Sequence, residues 1–349
     1  MKIFILLIFS LCTAHRVIPA KNLNNITLAF GSCNPFRGTE PSDIFYRIAE
    51  LNPDVWIWLG DAYYADRSPT TLSFNGEEIV KKKIANVKAK QAYITLREKT
   101  PIIGVWDDHD YGKNNANKHF PYKKLTQQLF LDFLDEPENS NRRLQEGIYE
   151  SYYIGDETRI KVILVDVWYF RDPMPFFDNG KEETGDTLGE IQWKWLEEEI
   201  ANSQSEYMIL GSGSIVLPDD RIFPETWHAT SRKRLISILR KYKKDKFLIL
   251  SEDIHYAEID TYPCPEEVGF RLYEITSSGL THSVNMLPAF GEFITNLFPQ
   301  TFNGPEDRYT DLNFGALNFD FENNKVTIQI RNYTGQVVIE KIFAKQIWN

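Results

Sequence analysis

Four short clusters of polar residues, each directly after an apolar run, constrain the fold of this sequence more than any other feature. The clusters are Ser32-Cys33-Asn34, Gly60-Asp61-Ala62-Tyr63-Tyr64, Asp107-Asp108-His109-Asp110 and Glu252-Asp253-Ile254-His255. The apolar runs before them are short and rich in branched or aromatic side chains, which is typical of buried strands in an α/β sheet. Because loops gather at the C-terminal ends of parallel strands, we expect the four clusters to meet in one site.

The clusters carry residue types that bind metal ions. Asp61 is suited to bridge two cations, and Tyr64 would supply a phenolate that a hard trivalent metal favours; the alternative for Asp61 is an ordinary turn at a strand end. Three carboxylates and an imidazole crowd residues 107–110, which is repulsive unless cations are bound. Asp253 and His255 lie on the same side of an extended backbone. The pattern predicts a metal-dependent hydrolase.

Further donors lie in or near the same clusters. Asn114 and Asn115 would add neutral oxygen ligands, and Cys33 would bind a metal as a thiolate if it is not in a disulfide. Once a predicted leader containing Cys12 is removed, only Cys33 and Cys264 remain. In an oxidising compartment these two could form one disulfide, so a disulfide-stapled α/β module without metals is an open alternative.

Charge and composition limit the classes of partner. The net charge of −10 argues against binding nucleic acid through a basic face, and an anionic substrate would need bound cations. Residues 1–20 match a secretory signal peptide, with the mature chain predicted to begin between His15 and Lys21. No later apolar run or basic amphipathic face predicts a stable membrane anchor. Sequons at Asn25 and Asn332 fit a secreted or luminal glycoprotein.

Helices and strands alternate along the chain until the last forty residues, which read as strands only. Helices are predicted over residues 43–49, 76–99 and 122–134. Another is predicted to begin with Thr187 and Glu190 as a capping box and to run to about Ala201. Residues 312–343 predict an antiparallel meander. We expect residues 21–349 to form a single domain, a two-sheet α/β sandwich with helices on its outer faces; a doubly wound single sheet is the alternative.

Six segments in the same order resemble the PhoD-like (alkaline phosphatase D) branch of the calcineurin-like metallophosphoesterases. They are residues 30–34, 59–66, 104–112, 188–193, 250–259 and 275–283, so the resemblance covers nearly the whole mature chain. It implies hydrolysis of phosphomonoesters or phosphodiesters by a metal-activated hydroxide. It also implies two or more metal ions, Fe(III) with Ca(II), although the donor set would accept Zn or Mn. The oligomeric state stays open.

The resemblance also implies roles for individual residues. One metal ion would be surrounded by Cys33, Asp61, Tyr64 and His255. Asp61 would bridge to a second site completed by Asp108, Asn114 and Asp253. His109, next to the ligand Asp108, would protonate the leaving-group oxygen. Asn115 and Arg171 would bind the substrate.

Three positions depart from the pattern that is usual in that family. Glu252 replaces a Gly, Trp168 replaces an Arg, and Ile215 replaces a Gln. Loss of two polar donors would weaken phosphate binding or change the substrate, and Glu252 adds a carboxylate beside the metals. Because the implied ligands are intact, we expect an active enzyme of altered specificity. The alternative is a pseudoenzyme that keeps the fold as a binding glycoprotein.

Overall fold

Two β-sheets lie face to face in the computed structural model, which describes residues 16–35, 44–67, 74–174, 184–218, 225–286 and 305–344. The strands are β1 Val17–Ile18, β2 Asn25–Ser32, β3 Val55–Gly60, β4 Ile102–Gly104, β5 Glu150–Ile154, β6 Ile160–Val165, β7 Tyr207–Ser212, β8 Phe247–Ser251, β9 Ala257–Thr261, β10 Tyr273–Ser277, β11 Arg308–Tyr309, β12 Asn313–Asp320, β13 Lys325–Asn332 and β14 Val337–Ala344. The predicted two-sheet α/β sandwich is confirmed, and the single doubly wound sheet is wrong.

The six-stranded sheet has the order β14-β13-β12-β2-β3-β4. Strands β2, β3 and β4 are parallel, so their C-terminal ends lie at one edge, and the first three polar clusters follow these ends. Strands β12, β13 and β14 form an antiparallel meander that joins the sheet where β12 pairs with β2.

The eight-stranded sheet has the order β1-β5-β6-β7-β8-β10-β9-β11. Its centre is parallel, from β6 through β7 and β8 to β10. Strand β5 pairs with β6 in antiparallel orientation. The fourth polar cluster follows β8, so the four clusters come from two different sheets.

Aromatic and aliphatic side chains fill the space between the sheets. The rings of Tyr207 on β7 and Phe319 on β12 have centroids 5.0 Å apart, and a Cβ on Gly211 of β7 would lie 3.2 Å from Leu59 of β3. On β3, Trp58 contacts Phe133 in a helix with a centroid distance of 5.9 Å. Burying each such aromatic side chain stabilises the fold by about 2–3 kcal/mol.

Helices cover the outer faces of both sheets. They are α1 Ile44–Leu51, α2 Glu77–Lys88, α3 Gln91–Arg97, α4 Asp108–Tyr111, α5 Lys123–Phe133, α6 Gly189–Asn202, α7 Ala229–Tyr242 and α8 Pro265–Val268. The first turn of α6 is not held by the predicted capping box. Asp186 accepts the N–H groups of Leu188 and Gly189, whereas Thr187 bonds to His228.

The N-terminal part of the described chain is tied into the fold. Strand β1 pairs with β5, and Arg16 forms an ion pair with the buried Glu136 at 2.5 Å. Residues 1–15 of the predicted signal peptide lie outside the described residues. Residues 16–20 of the predicted signal peptide therefore belong to the fold, and cleavage after Ala20 would remove β1 and Arg16. Within the described residues, every helix is too short or too polar to cross a bilayer.

Candidate metal centre

The four polar clusters meet at the edge where strand ends of both sheets come together. Cys33 follows β2 and its Sγ lies 3.9 Å from Asp61 Oδ2, which follows β3. The same sulfur lies 3.2 Å from Oε2 of Glu252, which follows β8 of the other sheet. Asp108 and Asp253 lie in the same cluster as Asp107. Residues more than two hundred positions apart therefore form one buried site.

The backbone at this site is strained. Ten non-glycine residues of the described chain have a φ in the left-handed region, and six of them are candidate site residues: Cys33, Asp61, Tyr64, Asn115, Asp253 and His255. Their φ values lie between 51° and 86°. Such conformations cost about 1–3 kcal/mol each and persist only where the surrounding structure imposes them. The strained residues therefore cluster at the positions where the sequence predicts a metal site.

Five buried carboxylates crowd the site. They belong to Asp61, Asp107, Asp108, Glu252 and Asp253, and none is more than 6% exposed. Burial raises the pKa of each, and nearby acidic groups raise it further, in the case of Asp61 to about 8. Without cations, the site cannot hold all of these groups in their charged form at neutral pH.

Several candidate ligand atoms are buried and lack a hydrogen-bond partner among the described residues. They are Asp107 Oδ2, Asp108 Oδ1, Glu252 Oε1, Asp253 Oδ2 and His255 Nδ1. A buried acceptor without a donor costs about 1–3 kcal/mol, and more when it is charged. Burial, with His282, Arg67 and His109 nearby, lowers the pKa of His255 well below its ordinary value, which leaves a neutral imidazole. This donor set fits metal ions.

The donors divide into three overlapping groups, each with its ligand atoms within 4.8 Å of one another. The groups are Cys33, Asp61 and Glu252; Asp61, Asp108 and His109; and Asp107, Asp108 and Asp253. Asp61 belongs to two groups, as a bridging carboxylate would. A mixture of thiolate, imidazole and carboxylate donors suits transition metals, and the all-carboxylate group suits a hard cation.

His109 is held by charged neighbours on both ring nitrogens. Its Nδ1 lies 2.8 Å from Asp66 Oδ1, and its Nε2 lies 3.1 Å from an Arg67 nitrogen and 4.0 Å from Asp108. The ring packs against Tyr64 with centroids 4.4 Å apart. Burial lowers the pKa of His109, but the carboxylates of Asp108, Asp61 and Asp66 outweigh it and raise the value to about 9.

Asp110 fixes the loop that carries Asp61 and Tyr64. Its carboxylate accepts N–H groups of Ala62, Tyr63 and Tyr64 at 2.8, 3.0 and 3.1 Å. Three backbone donors hold the strained turn in place, and the side chain is fully buried.

Asp110→Asn should destabilise the protein and weaken metal binding. Asparagine offers one oxygen where two accept now, and its NH2 group would face backbone donors, so we expect a loss of about 3 kcal/mol. Chemical denaturation and metal titration of the variant test this. Unchanged stability would show that the loop holds its shape without Asp110.

The two adjacent asparagines occupy different positions. Asn114 is exposed, and its N–H donates to Asp66 at 2.9 Å. The N–H of Asn115 donates to Asp108 Oδ2 at 2.5 Å, and the Asn115 Oδ1 atom is buried without a partner in the described chain. Asn115 is therefore better placed than Asn114 to offer a neutral oxygen ligand.

All three positions that depart from the family pattern are buried, Glu252 within the site and Trp168 and Ile215 next to it. Trp168 is 1% exposed and its indole N–H donates to Asp107 Oδ1 at 2.5 Å. Ile215 is fully buried and packs with Ile254 and Tyr256. Arg171 is 1% exposed, lies over the Trp168 ring at 4.7 Å and donates to the Thr226 carbonyl.

Neither cysteine of the described chain, Cys33 or Cys264, is part of a disulfide. Cys33 contacts Ser278 Oγ at 3.1 Å instead, so the alternative of a Cys33 to Cys264 disulfide is wrong. Sequence reasoning placed Asp107 and Asp110 only in a crowded acidic cluster that cations would stabilise, and it assigned no role to Asp66. The signal for all three was their place inside the segments that carry the resemblance.

A cleft of about 520 Å³ opens beside Asn115. The rings of Phe74 and Tyr122 stack there with centroids 4.8 Å apart, and Lys113 and His119 also line it. The cleft combines aromatic surface with cationic or polar groups.

A two-sheet α/β sandwich with an acidic, metal-competent cluster at the strand ends is a fold of the metallophosphoesterase type. The structure is similar to one described as "Structure of PhoD", with a TM-score of 0.67, 15% sequence identity, and coverage of 94% of this chain and 70% of that chain. The family described as PhoD-like phosphatase matches residues 28–330, and the chain belongs to this family.

A second solved structure also shares the fold. It is described as GAP50, the anchor in the inner membrane complex of Plasmodium, with a TM-score of 0.55, 10% identity, and coverage of 92% of this chain and 89% of that chain. No curated protein sequence matches this chain.

Proposed function

We propose that this protein is a secreted, metal-dependent phosphoesterase that hydrolyses phosphomonoesters or phosphodiesters. The observation that carries the proposal is the set of buried carboxylate and imidazole atoms that lack hydrogen-bond partners among the described residues, next to the thiol of Cys33, at the edge of both sheets. Family membership supports the same reaction class. The predicted signal peptide and the sequons support passage through the secretory pathway, and a single catalytic domain is proposed for the mature chain.

The ligand atoms would be shared between two sites. Cys33, Asp61, Tyr64 and His255 would hold one ion, and Asp61 would bridge to a second held with Asp108 and Asp253. We propose Asn115 in place of Asn114 in that second site, because the buried oxygen belongs to Asn115. When bound, the ions would lower the pKa of water to produce a nucleophile and offset charge on the phosphoryl group. The candidate ions are iron together with calcium, and zinc or manganese are the alternatives.

His109 is proposed to donate a proton to the leaving-group oxygen. In the metal-free fold, the carboxylates of Asp108, Asp61 and Asp66 outweigh burial and raise the pKa of His109 to about 9, so the imidazolium is the main form there at neutral pH. Asp66 binds Nδ1 and fixes the ring orientation, whereas Nε2 lies 3.1 Å from an Arg67 nitrogen, so Arg67 would have to move away for Nε2 to donate to the substrate. Burial and nearby carboxylates raise the pKa of Asp253, and the charge of Arg171 only partly opposes that rise; Arg171 would help to hold the anionic ester.

His109→Gln should lower kcat by about 10²- to 10³-fold for esters with poor leaving groups, since protonation of the departing oxygen is lost. Esters of p-nitrophenol need little protonation, so their hydrolysis should fall much less. Initial rates with phenyl phosphate and p-nitrophenyl phosphate measure the difference. Equal losses for both esters, at unchanged metal content, would remove His109 from the acid role.

The proposal as a whole is tested by elemental analysis of the purified protein together with hydrolysis of p-nitrophenyl phosphate and its bis ester. Bound metal with turnover of either ester supports it, and the ratio of the two rates identifies the ester class. Absence of metal after reconstitution would overturn the metal-dependent mechanism.

The alternative is a protein that keeps the fold and metals as a binding glycoprotein without turnover. The replacement of two polar positions by Trp168 and Ile215 favours it, because neither supplies an exposed donor for phosphate. The similarity to the anchor protein GAP50 is consistent with it. Metal without hydrolysis of either ester would favour this alternative.

A further inference from the structure

Glu252 is a fully buried carboxylate in the middle of the metal centre. Its Oε2 lies 3.2 Å from Cys33 Sγ and accepts the N–H of Asp253 at 2.6 Å. Its Oε1 is buried and has no hydrogen-bond partner within the described residues. Burial, the thiol of Cys33 and the carboxylate of Asp61 raise the pKa of Glu252 well above its ordinary value.

The space for this carboxylate is made by Gly60. A Cβ at position 60 would lie 2.4 Å from Glu252 Oε1 and 2.4 Å from Asp107 Cβ, and the φ of Gly60 is +148°. No side chain fits between β3 and Glu252, so the backbone of one sheet is in direct contact with a carboxylate from the other. The position of the unpartnered oxygen is therefore set by packing.

We propose that Glu252 is a ligand of the cation held by Cys33 and Asp61. The ligand atoms of these three residues lie within 4.8 Å of one another, and all three side chains are fully buried. The inference rests on the metal site proposed above, and no residue role implied by the family resemblance includes Glu252. Its carboxylate adds a hard oxygen and one negative charge to a site that also contains a thiolate.

Two consequences follow from an additional anionic ligand. The site favours a cation of higher charge or harder character than the thiolate alone would select. The bound cation also presents less net positive charge to an anionic ester, so the substrate is attracted less strongly than at a site without Glu252.

Cobalt(II) titration of chelator-stripped protein tests the assignment, because thiolate-to-cobalt absorption reports on the ion beside Cys33. Glu252→Gln keeps the size of the side chain and removes its charge, so we expect the dissociation constant for that ion to rise at least about 10-fold. Glu274→Gln is the matched control. Glu274 is also fully buried, but its oxygens accept the N–H groups of Val216 and Leu217, and its substitution should leave cobalt affinity unchanged.

A second variant keeps the test decisive if Glu252→Gln misfolds. Glu252→Gly removes the carboxylate entirely and should weaken cobalt binding to a similar extent, with circular dichroism confirming the fold. If both variants bind cobalt as the wild type does, Glu252 only contacts the thiol and the proposal is overturned. The titration does not depend on hydrolysis, so an inactive wild-type protein with Glu252-dependent cobalt binding would contradict the proposed function but not this inference.

Discussion

Asp61→Asn is expected to abolish metal binding and hydrolysis together while leaving the metal-free fold intact. Asp61 takes part in two of the three donor groups, so its loss weakens both proposed metal sites. Metal ions stabilise the transition state of such hydrolyses by several kcal/mol, so the rate of ester hydrolysis should fall by at least about 10²- to 10³-fold. Its pKa of about 8 shows that the charged form is disfavoured by burial, and a neutral amide should not destabilise the metal-free protein.

Asp166→Asn is the matched control, and we expect it to have the opposite effect on the stability of the metal-free protein. Asp166 is also fully buried, but it accepts N–H groups from Trp106, Ile148, Trp168 and Tyr169 at 2.9–3.0 Å. Its substitution should therefore lower the stability of the metal-free protein. Metal content, ester hydrolysis and thermal unfolding with chelator separate the two variants. A metal-loaded, active Asp61→Asn protein would contradict the bridging role.

Metal removal should cost more stability as the pH rises. The pKa of Asp61 rises from an ordinary 3.8 to about 8 in the metal-free fold, so the folded state retains a proton that the unfolded state releases. The contribution of Asp61 to the unfolding free energy is fully present below pH about 4, and it is lost as the pH rises through about 8. The shift corresponds to roughly 5 kcal/mol. Bound cations reverse the trend, because metal binding requires deprotonated ligands.

The measurement is the difference in unfolding free energy between metal-loaded and chelator-treated protein at several pH values. Taking the difference removes the contribution of ionisable groups far from the site. We expect this difference to widen between pH 4 and 8 in the wild type, whose Asp61 has a pKa of about 8, and to be absent in Asp61→Asn, which we expect not to bind metal. If the difference in unfolding free energy becomes smaller as the pH rises, no cation neutralises the buried carboxylates.

The strands that carry the site were predictable from sequence because each apolar run ends abruptly in polar residues. The run before Asp61 became β3 within one residue of its predicted end. The partition of the clusters between two sheets was not predictable, since strand periodicity contains no information on which strands pair. For the same reason, the contact of Glu252 with Cys33 across the sheets required the structure.

Local motifs were less reliable where a distant residue competed for the same donor. Thr187 has the spacing of a capping box, yet its hydroxyl oxygen accepts the N–H of His228, and Asp186 holds the helix start instead. Helix α7, which begins next to His228, was not predicted because its sequence is polar on most positions. Asp66 lies inside a segment that carries the resemblance, but its role is visible only from its bond to His109.

The pairing of β2 with β12 joins the two ends of the chain. Phe30 lies opposite Gly315, whereas the candidate ligands all precede residue 256. During synthesis, every ligand therefore emerges before the strand that covers the free edge of β2. Until β12 arrives, β2 presents an unpaired edge, which is a site for aggregation. Completion of the six-stranded sheet must therefore follow synthesis of all the candidate ligands.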